Sequence, residues 1–425
     1  MQETNSSTTE FLVSLGSVDQ IKTQAQQNGT LKTPAVFNSH IHLPPNFSAF
    51  DTIAQAVDLA SQQGVNILGA GNYYDFSIYE TFVQLAQEKG IFPLLGTEII
   101  ALETGLQKEG IRINDPGNPG KYYICGKSIS RFQPFTPRGT EINASIRKTD
   151  AMRMQDMAGK LNRMFASHNI ETNLDDQAII ARVVKRHGCK TEQVVLQERH
   201  LCQAFQEVFF EVVSANQRVG KLKEIFGTDP KSDADDAVGI QNEIRSHLMK
   251  TGKPCYVPET FGNLAQAKEL IDQLGGIACY PVLADGSKDR CEYETPVETL
   301  IENLKANNYS MVELIPIRNQ PDALAEYVTA IRKAGIAAVA GTEHNTLSML
   351  PIEPTCVKDQ PIPAEIKEIF TEGICILAAH QFLCAHDQPG YAESYNNAED
   401  KEEIISTFAK IGATVLKLYF EKYPQ

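Results

Sequence analysis

His40 and His42 stand one residue apart in Phe37-Asn38-Ser39-His40-Ile41-His42-Leu43, where an apolar run meets the double proline Pro44-Pro45. In a strand, residues i and i+2 point to one face, so both imidazoles would project together while Ile41 faces the other way. Two imidazoles side by side can chelate a cation. The plain alternative is a pair of unrelated polar residues at a strand end, and a motif this short leaves both open.

The elements around the pair give it a setting. Strand-like runs alternate with helix-like ones: a strand through 35–42, a helix over 48–64, a strand over 65–71, a helix over 77–90 and a strand over 91–100. The first helix has Phe50, Ile53, Val57 and Ala60 on one face, with Ser48 placed to cap it and Gly64 to end it. Ser77 and Glu80 form a capping-box pattern, as do Thr295 and Glu298 around Pro296. The rhythm returns between 263 and 345, where three helix-like runs each lead into a short apolar strand. Repeated βα units on a parallel sheet fit an α/β fold, a distorted, TIM-like β/α barrel of about seven strands. A doubly wound sheet is the competitor, but no Gly-x-Gly-x-x-Gly follows the first strand.

Two regions interrupt the rhythm. Residues 99–140 carry Pro/Gly turns and read as a hairpin excursion. Residues 142–252 are polar and helical and read as an insertion. The expected organisation is a lead-in over 1–34, a barrel over 35–346 interrupted by 142–252, and extra C-terminal helices over 347–425 packing on the barrel.

In such barrels the reactive groups sit at the C-terminal ends of the strands. The residues there are His40 and His42, then Asn72 to Asp75, then Glu98, Tyr280, Asp285, Glu313, Glu343, His344 and Asn345. Histidines and carboxylates from separate strands thus gather at one end.

The order "FNSHIH", "GVNILGAGNYYD", "FPLLGTEI", "YYICG", "QERHLCQAF", "GGIACYPV", "VAGTEHN" resembles the PHP (polymerase and histidinol phosphatase) superfamily over roughly residues 35–346. It is most like the branch of small-molecule, metal-dependent phosphoesterases that carries a helical insertion. The resemblance implies a distorted barrel, a cluster of two or three divalent metals, and hydrolysis of a phosphate ester by a metal-activated water. It places His40 and His42 as the first metal pair, Glu98 as the bridging carboxylate, and His200 as a ligand brought from the insertion. Glu343 stands where the family usually has aspartate, with His344 or Asn345 near its last histidine. Three histidine positions of the family hold Tyr73, Tyr123 and Tyr280 here. These tyrosines either line the pocket as hydrogen-bonding groups or pack as apolar filler with a wet end. Basic residues that could meet an anion are Lys127, Arg131, Arg199 and Arg318, since arginine grips phosphate bidentately.

Composition narrows the function further. A net charge of −14 argues against a nucleic-acid surface, though a local metal or arginine can reverse the field inside one pocket. The opening "MQETNSSTTEF" lacks a basic start and a long apolar core, so no signal peptide is expected. No run of about 18 apolar residues predicts a membrane span. Nine scattered cysteines without a Cys-x-x-Cys read as free thiols in a reducing compartment, hence a cytoplasmic protein.

The expected function is a metal-dependent hydrolase, a phosphoesterase acting on a small phosphorylated, anionic metabolite. Its divalent metal would be zinc, manganese or iron, as mixed His and carboxylate ligands suit. The rival from another class is a catalytically degenerate PHP-like barrel serving as a binding or regulatory protein, because three tyrosines replace expected ligands. Amide hydrolysis or sugar isomerisation on a related metal barrel is the third possibility.

Overall fold

Seven short strands lie side by side in the order in which the chain makes them: β1 (Phe37–Ile41), β2 (Ile67–Ala70), β3 (Phe92–Leu102), β4 (Lys121–Lys127), β5 (Ile277–Val282), β6 (Met311–Leu314) and β7 (Ala337–Ala340). The computed structural model describes residues 8–28 and 35–424. Pairing is parallel within β1–β2–β3 and within β5–β6–β7. β4 is antiparallel to both of its neighbours, so the excursion expected in 99–140 is a hairpin built from β3 and β4. The ring nearly closes between β1 and β7, where Ile41 bridges to Glu343. There the His42 N–H donates to the Glu343 carbonyl at 2.7 Å, and the Glu343 N–H donates to the His40 carbonyl at 2.9 Å. The distorted α/β barrel expected from the sequence is therefore the architecture found.

The helices Ile53–Gln62, Tyr79–Glu88, Val297–Ala306 and Pro321–Lys333 connect the parallel strands, and Leu264–Gln273 leads from the insertion into β5. Their inward faces follow helical spacing, as with Leu324, Tyr327, Val328 and Ile331 in the last of them. The caps differ from the sequence reading. Thr52 caps the first helix, its Oγ1 accepting the Gln55 N–H at 3.1 Å, while Ser48 Oγ donates to the His42 carbonyl at 2.7 Å. Ser77 Oγ turns to the Asp75 carboxylate at 3.0 Å, and the helix after Pro296 has no side-chain cap. Short hydroxyl side chains bond whichever backbone or carboxylate is nearest, and here the loops beside the barrel mouth take them first.

Helices between 137 and 249 stand over one end of the barrel, led by the 30-residue helix Pro137–Ala166. Their inward faces form a second apolar core around Met157, Phe165, Phe205 and Phe209. At the other extreme of the chain, Ala364–Ala385 and Lys401–Lys422 are long helices in the main core. Ala364–Ala385 is long and apolar enough to cross a membrane, a feature the sequence reading did not find, yet 83% of its most apolar stretch is buried inside the protein.

The lead-in expected over 1–34 contains the helices Glu10–Val13 and Val18–Asn28, and residues 1–7 and 29–34 lie outside the described set. Phe11 packs edge-on against Phe92 and Tyr419, each at 5.9 Å. Burying one such ring is worth roughly 1.5–3 kcal/mol, enough to anchor a short helix.

Candidate metal centre and its cavity

At the end of β1 both imidazoles turn inward, with ring centroids 5.1 Å apart. Glu98 reaches them from β3: its Oε2 is 2.9 Å from His42 Nε2 and 3.9 Å from His40 Nε2. All three side chains are buried, and His40 Nε2 has no hydrogen-bond partner among the described residues. A buried polar atom left unpaired costs about 1–3 kcal/mol, which a bound cation would remove. Bonds of roughly 2.0–2.1 Å in a tetrahedron hold donors about 3.3 Å apart, between the two separations seen. Two neutral imidazoles and a carboxylate therefore fit a divalent ion, and a three-ligand set leaves a coordination position open.

His40 is held on every side. Its Nδ1 lies 2.7 Å from Glu313 Oε2, on β6. A Cβ on Gly71 would come within 2.6 Å of the His40 ring, and one on Gly341 within 2.5 Å of the His40 Cβ. Both glycines are there because the ring needs the space. Just beyond, Glu343 and His344 adopt left-handed backbone, φ 64° and 48°. Such conformations in residues other than glycine cost free energy and cluster at functional sites.

The structure does not bring every expected ligand to the cluster. Glu343 is buried and near it, but its carboxylate is taken by the Arg318 guanidinium, with Nη1 at 3.0 Å from Oε1, and by Asn345 Nδ2 at 2.7 Å. Burial pushes the Glu343 pKa up, but Arg318 outweighs this and holds it below the ordinary value. His344 faces elsewhere. Its Nδ1 meets Thr342 Oγ1 at 2.6 Å, its Nε2 meets the Leu350 carbonyl at 3.0 Å, and its ring stacks on Phe50. His200 was expected from the insertion, but its Nδ1 accepts the Gln197 N–H at 3.1 Å at the start of its own helix, and its ring sits edge-on to Phe47. Burial drives its pKa down to about 3, so it stays neutral there.

The three tyrosines divide by strand alternation. Glu98 pairs with Cys125 across the β3–β4 ladder, and Cys125 pairs with Cys279 in β5. Residues two apart share a face, so Tyr123 and Lys127 point the same way as Cys125. Tyr123 accordingly lines the cavity over the centre, and burial raises its pKa to about 12. Tyr280, next to Cys279, points the other way into an aromatic group with Tyr122, Tyr293 and Tyr309. Its hydroxyl donates to Glu294 Oε1 at 2.8 Å, so it serves that cluster and not the cavity expected of it. Tyr73, after β2, stacks on His42 at 5.2 Å and lines the cavity.

The cavity encloses about 700 Å³ and is walled by the insertion on one side and the barrel mouth on the other. Its far wall is rich in cations that sequence reading passed over: Lys121, Arg153, Arg245 and Lys250, joined by Arg199. Glu198 bridges Arg153 at 2.8 Å and Arg245 at 2.9 Å. Lys121 sits between Glu259 at 3.2 Å and Asp115 at 3.4 Å. Arg199 and Lys250 have no carboxylate within 4.0 Å among the described residues; Arg199 bonds Asn242 Oδ1 at 3.3 Å instead. Burial, reinforced by Arg245, lowers the pKa of both. Asp150 opens on the same cavity, and burial pushes its pKa up to about 7 against the pull of Arg153 and Lys121. These groups come from β4 and from helices and loops of the insertion, and no local motif links them. Arg318, at the rim, is over a third exposed.

Neither a known family model nor a curated protein sequence matches this chain. Two solved structures are similar in fold. One is a protein provisionally named a metal-dependent phosphoesterase from Bifidobacterium adolescentis, with TM-score 0.53 and 13% identity over 79% of this chain and 96% of that one. The other is an amidohydrolase from Chromobacterium violaceum, solved with bound sulfate and no metal, with TM-score 0.50 and 17% identity over 79% of this chain and 97% of that one. At such identities the likeness establishes a shared barrel, and the chain's own side chains must argue its chemistry.

Proposed function

We propose that this protein is a metal-dependent hydrolase of the PHP type, a phosphoesterase acting on a small phosphorylated metabolite. The observation that carries the reading is the buried His40 Nε2, without a hydrogen-bond partner among the described residues, which lies on the cavity floor with Glu98, next to His42 and beneath a wall of cations. His40, His42 and Glu98 would hold the ion, which is zinc, manganese or iron by the nature of the donors. When bound, such an ion supplies Lewis acidity and lowers the pKa of water at its open position.

The chain's own residues supply the rest. Arg199 and Lys250, lacking carboxylate partners, are free to take an anionic oxygen, and arginine does so bidentately. Arg318, fixed by Glu343, orients a phosphoryl group at the rim. Asp150 keeps its proton to about pH 7 and offers it to a leaving oxygen on the cavity side. Tyr73 packs His42 in place and narrows the route for water. The nine unpaired cysteines suit a reducing, cytoplasmic setting. The fold neighbour provisionally named a metal-dependent phosphoesterase agrees with this reading.

One observation favours the second reading, a barrel that binds and does not turn over: Arg318 occupies the Glu343 carboxylate, which removes one acidic donor from the centre. Elemental analysis of purified protein, with a panel of phosphate monoesters and diesters, separates the two. Stoichiometric metal and turnover, both lost in a His40→Ala/His42→Ala variant, support the enzyme. Metal retained by the wild type without turnover of any substrate supports the binding protein.

A further inference from the structure

Behind His40, on the side of its ring away from Glu98, lies a second converging group. Glu313 Oε2 accepts the His40 Nδ1–H at 2.7 Å, and the Cys125 thiol lies 3.6 Å from the same oxygen. Cys125 Sγ is also 4.0 Å from His40 Nδ1. His40, Cys125 and Glu313 are all buried and close enough to hold an ion by residue type and spacing. A cation of the chain's own already sits beside them. Lys127 Nζ is 2.5 Å from Glu313 Oε1 and 3.2 Å from the Ser39 carbonyl, and Ser39 Oγ is 2.9 Å from Glu313 Oε1.

We propose that Lys127 is the resident cation of this second group, so that the protein holds a single metal ion, on the Nε2 side of His40, and that Glu313 is the residue that positions His40 for it. The inference rests on the metal reading above and concerns its count and geometry. Three observations carry it. First, a carboxylate has about four acceptor sites, and Glu313 has four neighbours to fill them: Lys127 and Ser39 on Oε1, His40 and Cys125 on Oε2. No lone pair remains for an added ion. Second, the buried negative charge is matched by a lysine that cannot leave, because its strand fixes it in register with Gly96 of β3 and Ile277 of β5. A buried carboxylate with such a partner has no need of a metal. Third, donating Nδ1–H to Glu313 fixes the neutral tautomer of His40, and the lone pair is then on Nε2, facing His42 and Glu98. Metal-ligating histidines characteristically donate their other ring N–H to a carboxylate in this way. Gly341 makes the pairing tight, since a Cβ there would meet both His40 and, at 3.0 Å, Glu313 Oε1.

The test uses the full-length protein, stripped with a chelator and titrated with Co²⁺ by calorimetry and absorption. The expected result is one ion per chain, no thiolate-to-cobalt charge-transfer band, and the same count and spectrum in Cys125→Ser. Glu313→Gln is expected to weaken Co²⁺ binding about 10–100-fold with unchanged circular dichroism, and Glu313→Asp to recover part of the loss. Two ions per chain, or a thiolate band that Cys125→Ser abolishes, would overturn the inference while leaving a metal protein. Glu313→Gln binding Co²⁺ as tightly as wild type would overturn the positioning role. No ion bound by the wild type would remove the metal reading itself, and this one with it. The wild-type count and spectrum decide the first point even where a variant fails to fold.

Discussion

Glu313 Oε2 lies 2.7 Å from His40 Nδ1 although 273 residues separate the two in sequence. That contact joins β6 to β1 across the barrel and turns a strand-end histidine into one with a fixed orientation. Much of the proposed chemistry depends on keeping that ring where it is.

Gly341→Ala should disturb it directly. The new methyl would meet the His40 Cβ at 2.5 Å and the His40 backbone nitrogen at 3.0 Å, and neither can swing away as a flexible side chain could. Overpacking of this kind costs typically 1–3 kcal/mol. We expect a matching drop in unfolding free energy and at least a tenfold loss of metal affinity, read by urea denaturation and metal titration. Unchanged affinity would show that His40 has more room than its neighbours allow.

Glu343→Gln and Glu98→Gln should differ sharply. Glu343 is committed to Arg318 and Asn345, whereas Glu98 Oε2 lies between the two histidines. Metal affinity is expected to fall by two orders of magnitude or more in Glu98→Gln and to stay within about threefold in Glu343→Gln. Equal losses in the two variants would put Glu343 among the ligands.

Arg199→Ala should report on the substrate anion. Hydrogen bonds to charged groups are worth roughly 1.5–3 kcal/mol, so KM for a phosphorylated substrate should rise about 10–150-fold with little change in kcat. The same variant should bind inorganic phosphate more weakly in the metal-free protein. Unaltered KM would leave Arg199 as part of the wall only.

A pH dependence follows from Glu294, which clamps the loop after β5 by accepting the Leu283 and Ala284 N–H groups at 3.0 and 2.8 Å. Burial raises its pKa to about 7 against those hydrogen bonds. Its folded-state pKa is above the unfolded value, so its contribution is fully present below about pH 4.5 and is lost as pH rises through about 7. The size is roughly 3 kcal/mol, at 1.36 kcal/mol per pKa unit. Urea unfolding at pH 5 and pH 8 should show a drop in wild type that is smaller by about 2–3 kcal/mol in Glu294→Gln, the remainder including buried Asp150, whose pKa is also pushed up to about 7. The same drop in both proteins would assign it to other groups.

Parts of this site were legible in sequence because they are local. The His-x-His spacing, Glu98 at the end of an apolar run and the hairpin signals of 99–140 all follow from strand period and turn chemistry. The parallel strands and their connecting helices were readable for the same reason. The Lys127–Glu313 pair was not, since it is made by β4 and β6, 186 residues apart: the sequence offers Glu313 as a strand-end group and Lys127 as a cation for an anion, with nothing local to join the two. The cationic wall has no local signature either, because Arg153, Arg245 and Lys250 come from different parts of the insertion. Tyr280 was misplaced by one step of alternation, since its neighbour Cys279 holds the inward position. The family resemblance implies His200 and His344 as ligands, whereas the structure gives His200 Nδ1 to a helix start and His344 Nε2 to a loop.

Three-ligand binding of one ion can be seen outright in a crystal of the protein grown with Mn²⁺ or Zn²⁺ and measured at the metal's absorption edge. One anomalous peak is expected, about 2.0–2.2 Å from His40 Nε2, His42 and Glu98. A peak elsewhere in the chain, or none at a saturating metal concentration, would contradict it.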